Sequence, residues 1–240
     1  MDLDGLLLSW YGREARDLPW RKTRDPYAIL VSEVMLQQTQ VERVIPRWLA
    51  WLERWPTPAA LAAASAADVI RAWQGLGYNR RALNLHRAAR VIAEHGWPDD
   101  LTVLPGVGDY TAAAIRSFAH GEAVLPVDTN VRRIQERTEH EFAPECGQAL
   151  MDLGATVCLA RIPRCGACPL AEVCPSRGRR YEPLRKQSRF EGSFRQRRAE
   201  LLRLVADEPR PVGELDPEAV AALTRDGLVE QAAGLVRLPA

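Results

Sequence analysis

Four cysteines, Cys158, Cys165, Cys168 and Cys174, fall within 17 residues in the spacing C-x6-C-x2-C-x5-C, while Cys146 stands apart. Four thiolates in so short a segment can close around one inorganic centre, and Pro163, Gly166 and Pro169 supply the turns that bring them together. Structural zinc and a four-iron cluster both accept four cysteines, and spacing does not separate them. Clustering of this kind in a chain without a secretory signal favours metal ligation over disulfides. A second set of residues could hold a phosphate. Leu104-Pro105-Gly106-Val107-Gly108-Asp109-Tyr110-Thr111 places two glycines two apart before an apolar helical stretch, 112 to 119. A tight hairpin there can aim backbone amides at one phosphate oxygen. It is not a dinucleotide fingerprint, because the third glycine, the preceding strand and the later acid are missing. Further on comes Val127-Asp128-Thr129-Asn130, where Asp128 could simply cap the helix 131 to 137.

Helices must position these residues. Positions 27 to 39 read as a mostly apolar helix, 41 to 55 as an amphipathic one that Pro46 can kink, and 79 to 95 as a third that stops at Gly96. Ser65 and Asp68 have the spacing of a capping box for a helix ending near Trp73. No useful length alternates with period two. All seven tryptophans lie in the first hundred residues, as core and groove material for a helical bundle. Residues 1 to 175 are expected to be all-α.

The 240-residue chain is 47% hydrophobic and 26% charged, which excludes disorder as its default. No stretch approaches a membrane span, and the acidic start MDLDGLLLSW lacks a cleavable apolar core, so a cytoplasmic protein with no membrane partner is expected. The net charge of +1 says little about partners, since distribution decides. From Ser176 to Glu200 nine cations (Arg177, Arg179, Arg180, Arg185, Lys186, Arg189, Arg195, Arg197, Arg198) meet three acids. That basic pole is either a solvated linker or a phosphate contact. Lys22 and Lys186 are the sole lysines, so amine chemistry has two candidates.

LPGVGDYTAAAI, then VDTNVRRI, then LMDLGATVC with the cysteine loop, resembles the helix-hairpin-helix DNA glycosylase superfamily that includes endonuclease III. RDLPWR (16 to 21), VSEVMLQQTQV (31 to 41) and GLGY (75 to 78) further resemble the MutY adenine glycosylases, especially actinobacterial forms. The resemblance covers about residues 5 to 175. It implies excision of adenine mispaired with 8-oxoguanine or guanine in double-stranded DNA, by a monomer carrying a [4Fe-4S] cluster on the four cysteines.

Cleaving an N-glycosidic bond calls for a proton donor on the base and negative charge beside the sugar. Glu33 lies among Ile29, Leu30, Val31, Val34, Met35 and Leu36, where desolvation favours the protonated form; in the resembling family this glutamate protonates adenine at N7. Asp128, at a helix start whose dipole favours an anion, would stabilise the sugar cation. Tyr110 stands where bifunctional relatives carry a Schiff-base lysine, so a monofunctional enzyme without β-lyase activity is implied. The same resemblance places Asn130 beside the site and makes Tyr110 a support for the aspartate. It also makes Gln38 and Tyr78 wedges in the DNA stack, and lines an adenine pocket with Arg16, Leu18, Trp20, Arg21 and Gln148. Trp20 could equally be core. Gly106 and Gly108 would grip the DNA backbone.

The chain also departs from the pattern. Asp128 to Cys158 spans 30 residues, shorter than the family pattern, and 96 to 104 is abbreviated. Beyond Cys174 remain 66 residues, too few for the Nudix-like domain of longer relatives. There, 194 to 205 reads as a helix and 212 to 239 as helix, turn and two short strands, a small winged-helix-like α/β unit. The expected organisation is a central helical domain at 24–128, a cluster domain from 1–23 and 129–175, a basic linker at 176–193 and the C-terminal unit at 194–240. A thymine or uracil mismatch glycosylase and a noncatalytic DNA-binding relative are the alternatives.

Overall fold

The computed structural model describes residues 2–182 and 189–240; Arg185 and Lys186 of the basic pole lie outside them. The chain is helical up to its C-terminal end, with α1 (Leu3–Glu14), α2 (Pro26–Leu36), α3 (Val41–Arg54), α4 (Pro58–Ala62), α5 (Ala66–Trp73) and α6 (Arg80–His95) leading to the hairpin. After it come α7 (Asp109–Phe118), α8 (Thr129–Thr138), α9 (Gly147–Thr156) and α10 (Phe194–Asp207), then β1 (Arg210–Pro211), α11 (Pro217–Arg225), β2 (Glu230–Ala232) and β3 (Leu235–Arg237). No helix among the described residues is long and apolar enough to cross a membrane.

The helix boundaries follow local chemistry. Ser65 Oγ accepts from Asp68 N at 3.1 Å and donates to Asp68 Oδ2 at 2.9 Å, which opens α5 as the spacing predicts. Pro26 opens α2, with Asp25 Oδ1 accepting from Tyr27 N. Every residue from Tyr27 to Met35 is buried, so this helix is apolar nearly all round because it has no solvent face. It ends at Leu36, three residues before the expected stop, because Gln38 turns left-handed at φ 56°. Helix α3 runs through Pro46 without interruption. Three helices, α1, α4 and α9, carry too little periodic signal to be read from sequence.

The residues group into two compact units. In the one formed by 1–29 and 109–186, Leu7 and Trp10 of α1 pack with Val131 and Ile134 of α8 and with Ala149, Leu150 and Leu153 of α9. In the other, formed by 30–108 and 187–240, Trp51 meets Trp55 and Trp73 edge-on at ring separations of 4.7 and 5.5 Å. The C-terminal segment belongs to that second core: Leu201, Leu202, Val205, Val220, Leu223, Leu228 and Val236 share it with Ile70 of α5 and Leu83 of α6. Its sheet is antiparallel in the order β1-β3-β2, with Arg210 opposite Val236 and Gln231 opposite the same residue on the other edge. Strand β1 is additional to the two expected; two residues long and half proline, it has no readable alternation. Ala233 and Gly234, at φ 50° and 75°, make the two-residue turn between β2 and β3.

Shared packing makes a checkable statement. Leu223 is 1% exposed, and Leu223→Ala should cost about 2–5 kcal/mol. All tryptophans precede residue 98, yet the tryptophan-detected urea midpoint should fall in this variant; an unchanged midpoint would mean that the C-terminal segment folds separately.

Candidate active site

Asp128 is the N-cap of α8. Its Oδ1 accepts from the backbone N–H groups of Asn130 and Val131 at 2.8 and 2.7 Å, and its Oδ2 from Asn130 Nδ2 at 2.8 Å. Two amides at the start of a helix and one side-chain amide thus fix both carboxylate oxygens. Asn130 is held in turn by Arg133, whose Nη2 donates to Asn130 Oδ1 at 2.7 Å and to Gly154 O at 2.8 Å while its Nε donates to Cys158 O at 2.9 Å. Gly154 allows α9 to come this close, since a Cβ there would lie 2.5 Å from Asn130 Cβ. Tyr110, half-buried in α7, directs its hydroxyl to Met151 Sδ at 4.0 Å. Lys22 is exposed and engaged by Asp17 at 2.7 Å.

The same unit contains a buried ionic cluster that the sequence does not announce. Asp152 of α9 has a side chain with no exposure. Its Oδ1 accepts from Arg16 Nε and Arg21 Nη2, both at 2.7 Å, and its Oδ2 from Arg16 N at 3.0 Å and Arg21 Nη1 at 2.8 Å. Arg21 also donates to Arg16 O, and its guanidinium lies 5.5 Å from the ring of Tyr11, whose hydroxyl donates to Gln148 Oε1 at 2.9 Å. Arg16, Arg21 and Gln148 are therefore brought together through Asp152 and Tyr11, two residues that sequence reasoning missed. Nothing local marks Asp152: it sits 136 residues from Arg16 in an apolar stretch. Leu18, just before the short turn Pro19–Lys22, and Trp20 within it are buried at 6% and 8% exposure.

In the other unit, Glu33 is 6% exposed in the middle of α2. Gln38 and Tyr78 are both exposed, and both have left-handed backbone, at φ 56° and 46°. Only Glu139 and Ala233 share that feature among described non-glycine residues. The hairpin turns on Gly106, at φ 83°, with Val107 N donating to Leu104 O at 3.0 Å. A Cβ at Gly106 would meet Asn84 Cβ at 2.9 Å. Gly108 is exposed with open space around it.

The four cysteines line one small pocket together with Arg137, Val157, Pro163 and Ala171. Sulfurs of the loop accept N–H donors, Cys158 Sγ from Arg137 Nη1 and Cys165 Sγ from Gly178 N, each at 3.3 Å. Arg137 further donates to Leu159 O and Ala160 O and lies over the Tyr181 ring at 3.9 Å, fastening the loop. Burial, reinforced by the other three sulfurs, pushes the Cys168 thiol up to about 11 even though the Leu170 amide opposes it, so a cationic centre beside it would be needed to make it a thiolate at neutral pH. No three side chains among the described residues are grouped tightly enough for a single ion. A ring of four thiols with N–H donors on the sulfurs fits a four-cysteine metal centre, whether one zinc ion or a four-iron cluster. Of the basic pole, Arg177 pairs with Glu172, Arg197 with Asp216 and Glu218, and Arg198 with Asp226.

Residues 31–141 match the family described as the HhH-GPD superfamily base excision DNA repair protein. The adenine DNA glycosylase of Mycobacterium tuberculosis is 47% identical over 250 aligned residues that cover 89% of this chain and 82% of that protein. That of Mycolicibacterium smegmatis is 44% identical, covering 95% and 92%. A thermostable thymine-DNA glycosylase structure superposes with a TM-score of 0.65 at 27% identity, over 71% of this chain and 93% of that one.

The Asp152 cluster carries a pH dependence of known sign. Burial alone would raise its carboxyl, but the Arg21 side chain and the Arg16 backbone N–H outweigh it and hold it below 3.8. The stability it contributes is complete above that pH and is lost as pH falls further through the lowered folded-state value. Asp152→Asn should cost about 3–5 kcal/mol at neutral pH by leaving two guanidinium groups without an anion, and should flatten the acid limb of the stability profile in urea titrations. A variant as stable as the parent would show that the cluster is dispensable.

Proposed function

The chain belongs to the MutY-type adenine DNA glycosylases of the helix-hairpin-helix superfamily, and we propose that it hydrolyses the N-glycosidic bond of adenine mispaired with 8-oxoguanine or guanine in double-stranded DNA. The observation that carries this reading is Asp128, a carboxylate fixed on both oxygens by three N–H donors where a sugar cation must be stabilised. In the reaction, the target nucleotide leaves the stack, because its glycosidic bond is unreachable inside the duplex. Glu33, buried in α2, protonates the adenine ring at N7 and lets the base leave as a neutral molecule. Asp128 stabilises the oxocarbenium sugar, and water completes hydrolysis. Arg16, Arg21 and Gln148, ordered by Asp152 and Tyr11, contact the extruded adenine, while the hairpin at Gly106 and Gly108 holds the phosphate backbone.

Tyr110 offers no amine at the hairpin position where bifunctional relatives carry a lysine, so the enzyme is monofunctional and releases an intact abasic strand. Cys158, Cys165, Cys168 and Cys174 would hold a [4Fe-4S] cluster, which when bound would take the thiolates as ligands and cross-link their loop. The working form is a cytoplasmic monomer associated with the nucleoid. The likeness to a thymine-DNA glycosylase supports a second reading, removal of thymine or uracil opposite guanine.

Four duplexes separate these readings: A opposite 8-oxoguanine, A opposite G, T opposite G and U opposite G. Release of adenine from the first two is expected, and release of pyrimidine alone would give the site to the second reading. Binding without turnover at stoichiometric enzyme would make the chain a DNA-binding relative. Asp128→Asn should lower single-turnover excision about 100- to 1,000-fold while retaining duplex affinity; full activity would move the stabilising charge elsewhere. Purified protein should be brown with about four irons per chain, and colourless protein holding zinc would overturn the cluster assignment.

A further inference from the structure

Arg81, at the second position of α6, is 9% exposed, and no step of the proposed reaction uses it. Its guanidinium is a hub of backbone carbonyls. Nη1 donates to Val34 O at 2.8 Å, to Met35 O at 3.0 Å and to Gln37 O. Nη2 donates to Thr39 Oγ1, Leu76 O and Gly77 O at 3.1, 3.1 and 2.9 Å, and Nε reaches Tyr78 O at 3.4 Å. The first set belongs to the end of α2 and the turn after it; the second binds that turn's Thr39 and the loop between α5 and α6. One planar cation therefore ties together the segment carrying Gln38 and the segment carrying Tyr78, both exposed and both left-handed in backbone. It also lies 5.6 Å from the Tyr78 ring and 5.3 Å from that of Trp73, whose Nε1 donates to Gly77 O.

Two left-handed non-glycine residues cost on the order of 1–3 kcal/mol each and persist only where their surroundings fix them. Carbonyls at the end of α2 have no partner within the helix and carry its negative pole, so a buried cation suits them. Burial lowers the guanidinium to about 10, which leaves it charged at neutral pH. Lysine could not replace it, because three donors on one nitrogen cannot span both segments.

We propose that Arg81 is the positioning residue that locks the Gln38 and Tyr78 loops into one rigid two-pronged wedge, so that both enter the DNA stack together when the nucleotide is extruded. This rests on the reading of Gln38 and Tyr78 as stack-entering residues. Thr39 is part of the same lock, since its hydroxyl also donates to Leu76 O at 3.2 Å.

The test is a double-mutant cycle on single-turnover excision from a duplex with A opposite 8-oxoguanine, with circular dichroism confirming the fold of each variant. Arg81→Lys and Tyr78→Ala should each slow excision about tenfold, and the double variant should be slowed by about the same factor rather than a hundredfold. Amide exchange at 37–39 and at 76–78 should rise together in Arg81→Lys. If that variant does not fold, Thr39→Val should give a smaller loss, again not multiplied by Tyr78→Ala. Multiplied losses, a wild-type rate in Arg81→Lys or in its substitute Thr39→Val, or exchange rising in one loop alone would overturn the proposal while leaving the wedge reading intact. A wild-type rate in both Gln38→Ala and Tyr78→Ala would remove the wedge reading and the proposal with it.

Discussion

Short helices and the turns after them leave carbonyl groups that cannot be satisfied locally, and at several places this chain meets them with guanidinium groups. Arg81 serves the end of α2 and the loop after α5; Arg133 takes Gly154 O at the far end of α9 and Cys158 O; Arg137 takes Leu159 O and Ala160 O. Each is a fork of fixed geometry that reaches acceptors from different segments at once. An ammonium group on a flexible stem would satisfy one acceptor set and leave the others buried without donors, at a cost of about 1–3 kcal/mol for each. A chain with thirty arginines and two lysines could owe that ratio to genome composition alone. At these three positions, however, the geometry itself requires arginine.

That constraint organises the chemistry of the first unit. Asp128 is aligned by Asn130, Asn130 by Arg133, and Arg133 by carbonyls of α9 and of the first cysteine in the loop. The position of the carboxylate therefore depends on the cysteine loop being in place, and Arg137 holds that loop from the other side through Cys158 Sγ. The cysteines and the aspartate are one hydrogen-bonded assembly, and Asp152 gives it a rigid neighbour by fixing Arg16 and Arg21.

How much of this was legible in the sequence depended on the range of the interaction. The Ser65–Asp68 box, the Gly96 stop, the Gly106 turn and the capping role of Asp128 all act within four residues, and all were readable. Burial of Glu33 followed from its apolar neighbours. Asp152, Arg81 and Arg133 were not readable, since each looks locally like an ordinary charge on a helix and has partners 20 to 140 residues away that give it its role. The early end of α2 was hidden for the same reason: Gln37, Gln38 and Thr39 suit a helix, and the left-handed turn there is held by contacts from α6. Strand β1 escaped because pairing, rather than pattern, defines it.

Gly154 shows what such an arrangement asks of heredity. The residue has no reactive group and no conspicuous backbone angle, yet its missing side chain sets the closest approach of α9 to α8. Any missense change there must displace Asn130, and through it the carboxylate that Asn130 orients. A variant at this codon would present as a packing lesion and behave as a chemical one.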